Sequence, residues 1–94
     1  MIVRITENGT RQWVDLPANA LINVDCANWS GSRVALEYSR YGTEDSKKPL
    51  RIDEFTEAVA TENTVWISRG QGFLRPVTTS YGGTEVLVSI EAVG

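Results

Sequence analysis

The sequence has no histidine and only one cysteine among its 94 residues. Without histidine it lacks the general base of Ser-His-Asp and Cys-His sites, and with one cysteine it lacks the ligand set of a zinc site. The single Cys26 also excludes an intramolecular disulfide, whereas small secreted domains usually carry several paired cysteines. We therefore expect a protein made in a reducing compartment that is not an enzyme and holds no cofactor or metal.

Long apolar runs and an excess of basic residues are also missing. No apolar stretch approaches the roughly 18 residues that span a membrane, and the first residues lack the basic region followed by an apolar one that begins a signal peptide. Nine Lys and Arg against twelve Asp and Glu give a net charge of −3, whereas nucleic-acid binding requires a basic surface. The sequence thus predicts neither a membrane nor a nucleic acid as a partner.

The sequence does contain regular alternation of apolar and polar residues, which is typical of strands with one buried face. In residues 33–39, Val34, Leu36 and Tyr38 share one face, and in residues 20–26, Cys26 is in phase with the apolar residues and is therefore expected to be buried. Further strands are predicted at residues 2–6, 12–16, 50–52, 64–68, 73–79 and 84–93. About eight short strands without a long helical period predict an all-β fold, a single-domain antiparallel β-sandwich or jelly roll over residues 1–94.

The first seventeen residues are predicted to form a hairpin appended to this sandwich. Asn8-Gly9 is a strong hairpin signal because both residues tolerate positive φ angles. If Val14 and Leu16 pack on the core, Trp13 points outward. Trp13 then either contacts a partner or covers the open end of its own sandwich.

Three segments have a less regular pattern. Residues 42–49 are predicted to be a polar loop, and residues 53–60 irregular structure with room for one helical turn. Proline donates no ladder hydrogen bond, so Pro76 predicts that strand 73–79 lies at a sheet edge or is bulged there.

Aromatic side chains are the remaining candidates for binding. The three tryptophans and the turn tyrosines are more often part of a core or an interface than a ligand platform, and a sugar-binding platform is the alternative. The residues concerned are Trp13, Trp29, Trp66, Tyr41 and Tyr81.

One stretch resembles small β-sandwich proteins of tailed-phage virions, in which a W-x-G turn leads into a V-x-L-x-Y-S strand and a polar loop. The stretch is Trp29-Ser30-Gly31-Ser32-Arg33-Val34-Ala35-Leu36-Glu37-Tyr38-Ser39. The later pieces of that pattern resemble Val65-Trp66-Ile67, Gly72-Phe73-Leu74-Arg75 and Val86-Leu87-Val88-Ser89-Ile90. The resemblance covers roughly residues 20–93.

The resemblance implies a capsid decoration (cement) protein, assembled in the host bacterial cytoplasm and bound to the outer surface of the head. There a trimer would bridge subunits of the major capsid protein and stabilise the shell. We expect the partner interface to include Trp13, Trp66 and Arg75. The alternative implied by the same resemblance is an adhesive module of a head or tail fibre that binds host carbohydrate or protein.

Overall fold

The protein is an all-β domain of two antiparallel sheets that pack as a β-sandwich, as the alternation predicted. The computed structural model describes residues 1–93. A 3₁₀ turn, Glu44–Ser46, precedes the sixth strand. The ten strands are β1 (Ile2–Ile5), β2 (Gly9–Thr10), β3 (Val14–Leu16), β4 (Ala20–Cys26), β5 (Arg33–Ser39), β6 (Lys47–Pro49), β7 (Val59–Ala60), β8 (Thr64–Ser68), β9 (Gly72–Ser80) and β10 (Val86–Ala92).

The first sheet has the strand order β1-β10-β4-β8, and the second has the order β2-β9-β5-β6. In the second sheet β3 also pairs with β9, and β7 with β5. In each sheet, alternate side chains along the strands face inward, and those of the two sheets together form one shared core. Cys26 belongs to this core and is 7 % exposed, which confirms the prediction that it is buried.

The predicted N-terminal hairpin is wrong, because β1 and β3 do not pair with each other. Strand β1 pairs with β10 in the first sheet, whereas β2 and β3 pair with β9 in the second. Ile5 and Leu16 therefore reach the core from opposite layers. The Asn8-Gly9 turn carries the chain between the sheets, and residues 1–17 are an integral part of the sandwich.

The edge position predicted at Pro76 is wrong, whereas the irregularity predicted there exists in the pairing with β2 and β3, whose register changes by one residue between Thr10↔Val77 and Val14↔Leu74. Strand β9 is central, and Pro76 stands opposite Leu36 in a regular stretch of the β5–β9 register. The backbone of Leu36 bonds away from β9, to Leu50 and Ala58, so no ladder bond is required from Pro76 on that side. On the other side, its carbonyl accepts the N–H of Arg11 between β2 and β3. On the β5 side the register shift lies between Arg33 and Val34, away from Pro76.

The segment between β5 and β8 is more ordered than predicted. Lys47–Pro49, placed in a polar loop by the sequence pattern, pairs with the end of β5 as strand β6. The strand predicted at residues 50–52 is wrong: strand β6 ends at Pro49, and Arg51 forms only an isolated bridge with Glu57. Residues 53–60 contain bends and the short strand β7, with no helical turn.

Candidate functional site

Two of the three predicted interface residues, Trp13 and Arg75, meet on the outer face of the second sheet. Val14 pairs with Leu74, so their chain neighbours Trp13 and Arg75 come close to each other. The Arg75 guanidinium lies 4.4 Å from the centre of the Trp13 ring. On the other flank, Arg75 Nε donates to Glu37 Oε1 at 2.8 Å.

Arg75 is 7 % exposed although it lies on an outer face, because Trp13 and the 3₁₀ turn cover it. Glu44, from that turn, accepts a hydrogen bond from Arg75 Nη1. This bond lowers the pKa of the Glu44 carboxyl, and the neighbouring Lys47 adds to the effect. The contacts raise the pKa of Arg75. The cluster therefore ties β9, β5, the turn and the residue before β3 together on the outer face of the sheet, where Arg75 is covered and Glu44 remains exposed.

Trp66 lies on the opposite face of β8 from the one expected for an interface residue. Its side chain packs against the core and is half-buried. Its neighbours Val65 and Ile67 point outward and are 52 % and 60 % exposed. An interface on this strand would be made by these two β-branched side chains and by the strand backbone.

Strand β8 is the last strand of the first sheet, and no strand among residues 1–93 pairs with its outer side. The sequence Thr64-Val65-Trp66-Ile67-Ser68 has no charge and no proline. By contrast, the edge strand β6 of the second sheet reads Lys47-Lys48-Pro49. Lysine and proline are the residues that block a free edge from pairing with another chain. One edge of this molecule is thus blocked, and the β8 edge is open.

A groove runs beside the open edge, between β8 and residues 50–52. Its volume is about 390 Å³, and Leu50, Ile52 and Ile67 provide its apolar lining. On the outer face of the first sheet, Leu21 lies beside Ile67 and Asn23 beside Val65. The open edge, the groove and the neighbouring face together form the β8 surface.

A second concave surface lies at one end of the sandwich, and we call it the end cleft. It has a volume of about 740 Å³, and its aromatic lining is Tyr38, Tyr41 and Phe73. Tyr41 is 69 % exposed. Trp29 and Tyr81, which the sequence also suggested as platforms, pack against the core instead.

The sequence suggested Tyr41 of the end cleft as a binding platform, but it indicated neither surface as a whole, although a signal for the β8 edge existed. The difference between an uncharged β8 and the Lys-Lys-Pro of β6 is visible in the residues, but it has meaning only once both are known to be edges. The end cleft combines residues 15–17, Tyr38, Arg40, Tyr41 and residues 70–73, which lie in separate parts of the chain and carry no common motif.

Across residues 1–93, no helix has the length and apolar character needed to cross a membrane. The same residues contain no group of three or more His, Cys, Asp or Glu side chains placed to hold a metal ion.

Comparisons with protein-family models, with curated proteins and with solved structures find no match to this chain.

Proposed function

We propose that this chain is a structural virion protein of a tailed bacteriophage, a decoration protein that binds the outer surface of the head. In this proposal it is assembled in the bacterial cytoplasm, acts as a trimer and stabilises the shell by bridging subunits of the major capsid protein. The resemblance of residues 20–93 supports the class of protein. The open β8 edge, in a molecule whose β6 edge is blocked, is the observation that carries the docking function.

The β8 surface has the chemistry of a protein-binding site. The outer backbone of β8 offers donors and acceptors on which an extended segment of the shell protein adds a further strand, and side chains give such an interface its specificity. Covering Val65 and Ile67, each more than half exposed, contributes roughly 1–2 kcal/mol per side chain at about 25 cal/mol per Å². The proposed interface is therefore centred on β8, and Trp13 and Arg75 lie outside it.

The test replaces Val65 and Ile67 by lysine, singly and together. Lysine on an edge strand opposes strand addition, so these variants should lose binding to purified shells while keeping the unfolding midpoint of the wild type. Gln12→Lys, which adds the same charge at an exposed position away from β8, is the matched control and should bind normally. Normal shell binding by the Val65→Lys, Ile67→Lys double variant would contradict the proposal.

The copy number of the chain in purified virions tests the position in the particle. A decoration protein is present in hundreds of copies and remains on empty heads, whereas a fibre module is present in a handful. Absence of the chain from virions would overturn both assignments. Analytical ultracentrifugation of the isolated protein tests separately whether it forms a trimer.

A second candidate function is an adhesive module of a head or tail fibre that binds host carbohydrate or protein. The observation that favours it is Tyr41, which is 69 % exposed at the end cleft. A low copy number, together with binding to host cells that depends on Tyr41, would support this function over decoration.

A further inference from the structure

We propose that the end cleft binds a neutral carbohydrate, with the apolar face of a pyranose ring stacked on Tyr41. The inference concerns a surface other than β8 and does not depend on docking to a shell. An open cleft of about 740 Å³ falls within the usual range for small-ligand sites, about 300–1,000 Å³. Its lining combines aromatic rings with a few polar groups, as such sites do.

The backbone that carries Tyr41 is held in place, although the side chain is exposed. The preceding Ser39 is fully buried, and its hydroxyl binds both backbone groups of Thr43, accepting from the N–H at 3.0 Å and donating to the carbonyl at 3.1 Å. The loop 40–42 is therefore closed at its base. A loop whose backbone is ordered before the ligand arrives loses less conformational entropy on binding.

Gly42 fixes the loop against the wall of the cleft. Its φ is +72°, a conformation that glycine adopts readily. A Cβ at this position would lie 3.1 Å from the ring of Phe73, so the backbone of Gly42 rests directly on that ring. The other wall is fixed by Tyr38, whose hydroxyl donates to the carbonyl of Gln71 at 2.6 Å.

The polar groups of the cleft suit hydroxyl groups without favouring a charged ligand. Asp15 and Arg40 line it together with Gln71, and neither of the two charged residues forms an ion pair within residues 1–93. A carboxylate accepts hydrogen bonds, a guanidinium donates them and an amide does both. One negative and one positive side chain leave the lining electrically balanced, which favours a neutral polyhydroxylated ligand over a phosphate or an acidic sugar.

The strand arrangement argues against an extended peptide as the occupant. Peptides that bind by strand addition need a free sheet edge. Around Phe73, β9 is paired on both sides, with Asp15 of β3 opposite on one and Ser39 of β5 on the other. The cleft therefore offers rings and side-chain polar groups, but no open backbone ladder of β9.

The test is a titration of the full chain with neutral oligosaccharides that end in glucose, galactose or N-acetylglucosamine, followed by backbone amide NMR. At least one of them should shift the amide signals of Tyr41, Gln71 and Phe73. Tyr41→Ala should weaken that binding about tenfold, equivalent to about 1.4 kcal/mol, whereas Tyr41→Phe should keep most of it because the ring remains. Phe55→Ala removes an aromatic that is 86 % exposed outside the cleft and should leave binding unchanged.

Other results overturn the inference. If none of the oligosaccharides shifts these amides, or if Tyr41→Ala binds as well as the wild type, the cleft is not a site for neutral sugars. A proline-rich peptide that shifts the same amides more than any sugar would assign the cleft to protein binding. Loss of shell binding in the β8 variants is independent of all these outcomes, so the two proposals fail separately.

Discussion

Trp13 lies over Arg75, with the ring centre 4.4 Å from the guanidinium. The sequence pattern correctly placed Trp13 on the face opposite Val14 and Leu16, but the structure gives that face an occupant from the same chain. The tryptophan that the sequence pattern left free for a partner thus covers a charged group of its own sheet, and we expect this contact to contribute to stability.

We expect Trp13→Ala to lower the free energy of unfolding by roughly 2 kcal/mol, from lost apolar burial and a lost cation–π contact. Trp13→Phe should lower the free energy of unfolding by less, because an aromatic ring still covers Arg75. Urea unfolding of the monomer measures both variants. Unchanged stability in Trp13→Ala, with weakened association, would instead identify Trp13 as an interface residue.

Arg75→Met should lower the free energy of unfolding by roughly 2 kcal/mol, less than breaking a fully buried ion pair, since Glu37 and especially Glu44 keep contact with water. Arg75→Lys should lower the free energy of unfolding by less than Arg75→Met, because it keeps a positive charge. It should still be less stable than the wild type, because a single ammonium cannot reproduce the separate bonds to Glu37 and Glu44. Arg33→Met, at an exposed position of β5 without an ion pair among residues 1–93, is the control. Equal losses from Arg75→Met and Arg33→Met would show that the ion pairs add nothing.

Glu44 gives the fold a predictable dependence on pH. Its bond to Arg75 lowers its folded-state pKa below the ordinary 4.5, so its contribution is fully present above that value and is lost as the pH falls through the folded pKa. The stability difference between wild type and Glu44→Gln should be largest near pH 7 and should shrink once the pH falls below 4.5 and through the lowered folded-state pKa. High salt should reduce it because Glu44 is exposed. Chemical unfolding across this range measures the difference, and a constant value would contradict the assigned interaction.

The thiol of Cys26 should react with a thiol reagent only when the protein opens. It is 7 % exposed, and its Sγ lies 3.3 Å from the carbonyl oxygen of Asn28. Labelling in native buffer should therefore be far slower than labelling in urea, and it should accelerate in destabilised variants such as Arg75→Met. Fast labelling of the native wild type, followed by mass spectrometry, would show that the thiol is accessible without unfolding.

The residues alone determined the fold class and most of the strands. The alternating patterns predicted Ala20–Cys26 and Arg33–Ser39 with the bounds that the structure has, because burial of one face imposes a period of two on the sequence. The burial of Cys26 followed from the same period. These are local properties, since each residue is constrained by the face on which it lies.

Only the tertiary structure decided which strands pair and which faces remain open. The Asn8-Gly9 turn is locally compatible with a hairpin, but packing of Ile5 and Leu16 from opposite layers makes it a crossover between sheets. Pro76 is tolerated in a central strand because its nitrogen faces the break between β2 and β3, where no ladder donor is required. The Trp13–Arg75 contact, the open β8 edge and the end cleft likewise arise from residues far apart in the chain, and their juxtaposition depends on strand order, which local periodicity does not encode.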